Sequence, residues 1–348
     1  MPKLGKLLIP ALLISILISA CNSTGVQPTL EFNATTPTAD LGLPTAMPTY
    51  TPTPAPLGSP NNPIVMGVIF DSQVDGQSEA LQSVIMHMNE GLSLNFEARV
   101  FANYIDLELA LQRGEVDMTW LTPPEYLLAS QKSLVSALLV ANHLGVTAYG
   151  VQFIGHQDAN YERFFDPATN SSNVPASEAL QQFAGLRPCL TQEDSLAGYW
   201  VPLGYLAQNN LEVNRPVLTY SFSSTIRALY VKGICAYGAT YALSADPRTS
   251  SEVISDLNDV IEKVPIIWLS PPIIPNLNLS VSTKMELTLQ NRISEFLRNF
   301  SREAVGKSLL GQMLNYEVAQ LEPLHDTSYQ SLRDLLTPTN VRLADLVR

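Results

Sequence analysis

The chain has 348 residues, with 32 acids against 20 bases for a formal net charge of −12, 46% hydrophobic residues and only 15% charged ones. Such an excess of acids leaves no basic face to neutralise phosphates, which excludes a nucleic-acid partner, and the apolar content is too high for simple disorder. Three Cys and four His argue against a metal site of several ligands, and the length exceeds what one hydrophobic core supports, so two lobes are expected.

Lys3 and Lys6 form a short basic start, and Leu7 to Ala20 is then uncharged and mostly Leu, Ile and Ala. Fourteen residues at 1.5 Å each are too few to cross about 30 Å of hydrocarbon, so residues 1–20 read as an export leader. The leader ends Ile18-Ser19-Ala20-Cys21, which resembles a bacterial lipobox. That resemblance implies a lipidated Cys21 as the new N-terminus and anchorage on the outer side of the cell membrane; an ordinary signal peptide with an incidental cysteine is the alternative. Residues 21–62 read as a tether. Between 22 and 63 there are nine Pro and nine Thr, a composition that buries no core and favours extended, polyproline-like chain. Roughly 40 residues at about 3.1 Å each reach on the order of 100 Å.

The folded head is expected from Pro63. Ile64 to Phe70 is an apolar run that fits a buried strand. Ser78 to Met88 places residues 80, 81, 84, 85 and 88 on one helical face, with Gly91 as a stop signal. Leu92 to Val100 alternates as a strand, Ile105 to Arg113 reads as a helix ended by Gly114, and Val116 to Leu121 is a strand turned by Pro123-Pro124. The order recurs further on: strand Leu186 to Thr191, helix Leu196 to Ala207, strand Val217 to Tyr220, helix Thr225 to Val231, strand Ile234 to Thr240. Pro265 to Trp268 would return the chain to the first lobe as a strand, and Lys284 to Phe300 and Tyr329 to Leu336 are helical. The expected fold is α/β, with each of two lobes a mostly parallel sheet flanked by helices. The boundaries are 63–157 for the first part of lobe 1, 158–264 for lobe 2, and 265–348 for the return to lobe 1 and the C-terminal helices.

Three stretches carry a resemblance over about residues 64 to 336. They are Tyr104 to Leu111 leading to Gly114-Glu115-Val116-Asp117-Met118-Thr119-Trp120-Leu121-Thr122-Pro123 and Tyr126; then Asp194-Ser195-Leu196-Ala197-Gly198-Tyr199-Trp200-Val201-Pro202; then Ile267-Trp268-Leu269-Ser270-Pro271-Pro272-Ile273-Ile274-Pro275-Asn276. In this order they resemble the substrate-binding lipoproteins of phosphate/phosphite/phosphonate ABC importers, of the type 2 periplasmic binding fold. The resemblance implies two lobes closing on a small solute, an oxyanion by preference, and delivery of it by a monomer to a membrane permease. A lipoprotein of the same fold that presents its closed form to a membrane receptor is the alternative.

In an open α/β sheet, ligands sit beyond the carboxyl ends of strands, where helix N-termini attract anions. Ser195 stands where a strand hands over to a helix, as a ligand contact or as a plain N-cap, and Ser221, Ser223 and Ser224 share that ambiguity. By the resemblance, Tyr104 and Tyr149 match ligand-contacting aromatics; Thr122 and Tyr126, at the end of a strand, are also expected to face the cleft. The departures matter as well. Leu196 and Ala197 lack the family's hydroxyls, Phe222 stands in place of a histidine, Ala242 in place of a glutamate that grips an amine, and Leu277 in place of an aspartate. An aminoalkyl phosphonate would lose its carboxylate partners here. The resemblance also puts Cys189 and Cys235 on neighbouring strands; a disulfide is expected, two buried free thiols being the alternative. No Gly-x-Ser-x-Gly elbow, HExxH or glycine-rich phosphate loop occurs, so neither catalysis nor a cofactor is expected.

Overall fold

The computed structural model describes residues 55–70 and 74–347. The leader, the lipobox cysteine Cys21 and nearly all of the tether lie outside the described residues. The first lobe begins β1 (Ile64–Ile69), α1 (Gln77–Leu92), β2 (Phe96–Phe101), α2 (Tyr104–Arg113), β3 (Met118–Leu121), α3 (Pro123–Gln131) and β4 (Val135–Asn142). The second follows with β5 (Ala148–Gly155), a small hairpin of β6 (Phe165–Asp166) and β7 (Ser171–Ser172), α4 (Ala176–Ala179), β8 (Pro188–Leu190), α5 (Val201–Gln208), β9 (Val217–Leu218), α6 (Phe222–Val231) and β10 (Tyr237–Ala242). Short helices α7 (Ser251–Ile254) and α8 (Val260–Lys263) lead to β11 (Ile266–Leu269) and β12 (Ile274–Pro275). The chain then returns with β13 (Asn278–Ser282), α9 (Leu287–Phe300), α10 (Ala304–Leu314), β14 (Gln320–Pro323) and α11 (Gln330–Leu336).

The first sheet runs β14-β4-β13-β3-β1-β2, the second β11-β5-β10-β8-β9 with β12 also on β5. Both are mixed. β1 lies parallel to β2 and β3, whereas β13, β4 and β14 pair antiparallel. In the second sheet β8 lies parallel to β9 and β10, whereas β5 is antiparallel to β10 and β11. α1 buries Ala80, Leu81, Val84, Ile85 and Met88 on the first sheet, as their spacing requires. Each large side chain of that face contributes about 1.5–3 kcal/mol.

Three local expectations change. Gly91 does not stop α1, which runs to Leu92. A Cβ there would lie 2.1 Å from the Phe296 ring, so the glycine lets α1 and α9 approach. Pro123-Pro124 open α3 instead of only turning the chain, since a helix's first positions need no N–H donor. Ile266–Leu269 joins the second sheet, on β5 with Trp268 opposite Phe153, and not the first. β5 is itself in that second sheet, so the chain crosses between lobes after Asn142 and again before Asn278, not at 157 and 265. Val135–Asn142 and Ala148–Gly155 are both apolar runs, and only their partners decide which sheet each joins.

Cys189 and Cys235 form a disulfide, with Cα atoms 5.5 Å apart and a sequence separation of 46. Cys189 is on β8, in register with Gly238 of β10; Cys235 is not on a strand as expected but lies just before β10, with Ala236 between them. The free-thiol alternative is removed. On chain-entropy grounds the bridge contributes about 4 kcal/mol.

Candidate functional site

The turn after β8 is built around Ser195. Its Oγ accepts from the Gly198 N–H at 3.0 Å, and its carbonyl accepts from the Tyr199 and Trp200 N–H groups at 3.2 and 3.3 Å. The longer of these bonds opens a π-helical turn, Leu196–Trp200, which continues as α5. Thr191 N–H donates to the Gly198 carbonyl at 3.0 Å, and the Trp200 indole donates to the Glu193 carbonyl at 2.6 Å, closing the turn on itself. Gly198 is required: a Cβ would lie 2.0 Å from Thr191 Oγ1. The first-turn amides of Leu196 and Ala197 lie outside the helix's own ladder, as such amides must. With its oxygen accepting from Gly198, the Ser195 hydroxyl keeps its proton to donate.

This turn opens on a cavity of about 350 Å³ lined by His143, Tyr149, Ser195, Phe222, Tyr241 and Tyr316, with Leu144, Leu196, Ala197, Ser244, Ala245 and Asn276 completing it. The lining comes from both lobes. His143 follows β4, Tyr316 precedes β14, and Asn276 stands at the return crossing. Tyr241 is on β10 and Phe222 begins α6. Burial pushes the Tyr149 phenol up to about 12, so it stays a neutral donor at physiological pH. No lysine, arginine or carboxylate lines the cavity among the described residues. A larger apolar recess, about 480 Å³, adjoins Tyr205 and Trp268 but includes neither the Ser195 nor the Ser221 helix start.

Of the ligand contacts expected from the sequence, the structure brings Tyr149 and Ser195 together in this cavity, and the departures Leu196, Ala197 and Phe222 line it too. Tyr104 is buried beneath α3, its hydroxyl donating to the Glu125 carbonyl at 3.2 Å. Thr122 is the cap of α3; its N–H and Oγ1 both donate to Glu125 Oε2 at 2.7 Å. Burial pushes the Glu125 carboxyl up, while those two bonds pull it back. Tyr126 packs against Tyr329 with ring centroids 4.2 Å apart and planes tilted by 34°, and donates to Asp326 Oδ1 at 2.7 Å, which fastens α3 to the C-terminal segment. Ser221 caps α6, accepting from Ser224 N–H at 3.0 Å, and Ser223 donates to Glu252 Oε2 at 2.7 Å. None of these five lines the cavity. Nor do Ala242, buried on β10, or Leu277.

The sequence reading did not single out His143, Tyr241, Ser244 or Tyr316. Tyr241 shares its strand face with Tyr237 and Ala239, so two-residue alternation was a usable signal. Tyr316 follows a left-handed Asn315 just past the end of α10, where no periodicity reports on side-chain direction.

The family model described as "ABC transporter, phosphonate, periplasmic substrate-binding protein" matches residues 66–329. The chain belongs to this family. Its members are the periplasmic substrate-binding components of ABC transporters, so the chain is an extracytoplasmic solute-binding protein that serves a permease. Among solved structures it is similar to XAC2383 from Xanthomonas citri bound to chloride ion. There the identity is 18% and the TM-score 0.55, covering 81% of this chain and 98% of that one. The same protein bound to ATP matches with 18% identity and a TM-score of 0.55 over 82% and 99%. PhnD1 from Prochlorococcus marinus in complex with methylphosphonate matches with 14% identity and a TM-score of 0.47 over 80% and 98%. The first two show the shared fold. Among the described residues no helix is long and apolar enough to cross a membrane.

Proposed function

We propose that this member of the phosphonate-binding family is a lipid-anchored monomer that takes a small oxyanion of the phosphate, phosphite or phosphonate class into the cavity between its lobes, leaves it chemically unchanged, and presents it to its permease. The observation that supports this reading is the Ser195 turn. It is a helix start with a neutral hydroxyl cap and no acid in its first turn, opening on a cavity that residues of both lobes line. An anion there meets first-turn N–H groups and the Ser195 hydroxyl, with Tyr149 as a further neutral donor. Hydrogen bonds to a charged group are worth about 1.5–3 kcal/mol each, so several are needed for micromolar binding, about −8 kcal/mol, after the cost of association.

The anchor rests on Lys3, Lys6 and the apolar run ending at Cys21, with the Pro/Thr-rich tether as the spacer. Cys21→Ser should abolish incorporation of radiolabelled lipid; equal labelling of the wild type and the variant would refute the anchor. The ligand is tested by thermal shift with phosphate, phosphite, methylphosphonate and 2-aminoethylphosphonate. Methylphosphonate should raise the melting temperature, and 2-aminoethylphosphonate should do so less, because no described lining residue offers its ammonium a carboxylate. The absence of any shift with all four would sink the oxyanion reading.

A further inference from the structure

An oxyanion accounts for only one corner of the cavity. The rest is aromatic. Phe222 and Tyr241 meet edge to face, with ring centroids 4.9 Å apart and planes at 87°. His143 and Tyr316 stack, with centroids 4.2 Å apart and planes at 23°. The first pair belongs to the second lobe and the second pair to the first, so each lobe brings a preassembled aromatic face to the same space. A flat ring between the two faces would be covered on both sides as the lobes close. Methylphosphonate, with five heavy atoms, would leave most of about 350 Å³ and nearly all of that aromatic surface to water.

The polar groups of the cavity also ask for something a phosphonate head lacks. Asn276 is 2% exposed, and its Nδ2 donates to the Val146 carbonyl at 2.7 Å and the Ala141 carbonyl at 3.2 Å. Its Oδ1 is buried and has no donor. Left so, a buried acceptor costs about 1–3 kcal/mol. His143 Nδ1 lies 3.0 Å from the Glu317 carbonyl. A carbonyl only accepts, so Nδ1 carries the hydrogen, and in that tautomer of the ring Nε2 is a second acceptor. The oxygens of a phosphonate dianion are acceptors and satisfy neither. A primary ammonium would donate, but no described lining residue balances its charge; a quaternary ammonium has no hydrogen to give.

We propose that the site recognises a phosphonate whose organic substituent is an uncharged flat ring bearing an N–H donor. The ring lies between the His143/Tyr316 and Phe222/Tyr241 pairs, the phosphonate at the Ser195 turn, and the N–H toward the acceptors Asn276 and His143. This rests on the oxyanion reading above and specifies what the oxyanion carries.

Titration calorimetry on the full processed lipoprotein in detergent tests it, with methylphosphonate, phenylphosphonate, (4-aminophenyl)phosphonate, 2-aminoethylphosphonate and the phosphorus-free 4-aminobenzamide. Phenylphosphonate should bind at least tenfold more tightly than methylphosphonate, and the 4-amino group should add threefold or more. Phe222→Leu and Tyr316→Leu should each bring the phenyl-to-methyl ratio below threefold. His143→Phe, which keeps a ring against Tyr316, should erase the gain from the amino group. Equal binding of the phenyl and methyl compounds, or 2-aminoethylphosphonate as the tightest ligand, overturns the ring assignment and leaves the oxyanion reading standing. Binding of 4-aminobenzamide with no binding of any phosphonate overturns the oxyanion reading, and this proposal with it.

Discussion

The helix starts that follow β2 and β3 in the first lobe differ electrostatically from those that follow β8 and β9 in the second. In the first lobe, α2 has Asn103 as its cap and Asp106 in its first turn, with the Asn103 side chain accepting from the Asp106 N–H at 3.0 Å. α3 opens with two prolines, which have no N–H, and Glu125 folds back onto the amide of Thr122. The α3 start is thus met by a carboxylate, and the α2 start by the Asn103 amide oxygen with the Asp106 carboxylate beside it. In the second lobe, Ser195 and Ser221 cap their helices with neutral hydroxyls, and neither first turn holds an acid. A helix start has roughly half a positive charge to offer. At α2 and α3 the first lobe places an acid in the first turn, and at the Ser195 and Ser221 starts the second lobe places none. The shared strand-turn-helix plan therefore does not imply a shared role, and an anion should be held chiefly by the second lobe while the first supplies His143, Tyr316 and Asn276.

Three experiments sharpen or break that contrast, and a fourth tests two carboxylates within the first lobe. The largest effect is expected from the bridge, because Cys189 is on the strand that feeds the Ser195 turn. Cys189→Ala with Cys235→Ala should lower the unfolding free energy in urea by about 4 kcal/mol; a loss under about 1 kcal/mol would mean that strand pairing alone holds this turn. Next is Gly198→Val, whose side chain meets Thr191 Oγ1 and Ser195 Oγ. It should cost about 1–3 kcal/mol by overpacking and remove the ligand-dependent rise in melting temperature. Third, Ser195→Ala should cost about 1 kcal/mol as a lost cap and weaken methylphosphonate at least tenfold. Thr122→Ala should cost about the same stability yet change affinity less than twofold. Equal losses of affinity in calorimetry would erase the distinction between the lobes.

The smallest effect is a difference in pH dependence. Burial raises the Glu125 carboxyl, so the fold favours its protonated form. Its stabilising contribution is fullest below the unfolded value of about 4.3 and is lost as pH rises through the higher folded value. Asp326 is opposite: its bond to Arg333, then that to Tyr126, lower it. Its contribution is present above the unfolded value of about 3.9 and is lost as pH falls through the depressed folded value. Urea midpoints between pH 3 and 7 should therefore show Glu125→Gln removing a decline toward high pH and Asp326→Asn removing a decline toward low pH. Parallel profiles for the two variants would refute these assignments.

Hydrophobic periodicity was enough to read most of the alternating strands and helices of both lobes, since 3.6 and 2 are properties of the backbone and each buried face is written locally. The Ser195 junction was legible for the same reason, as an N-cap is a local device. The destination of a strand was not. Ile266–Leu269 and Ala148–Gly155 carry no mark of the sheet they join, because pairing is set by partners distant in sequence. Tyr104 and Tyr126 show the same limit: in sequence they are tyrosines beside a cleft-facing segment, and only the packing of α3 and Tyr329 turns them inward. By itself the sequence determined the elements, the two-lobed plan and a helix start with no acid in its first turn. The tertiary structure alone decided which aromatics and acceptors surround that start, because His143, Asn276 and Tyr316 come from loops, where direction follows from long-range contacts and no period constrains it.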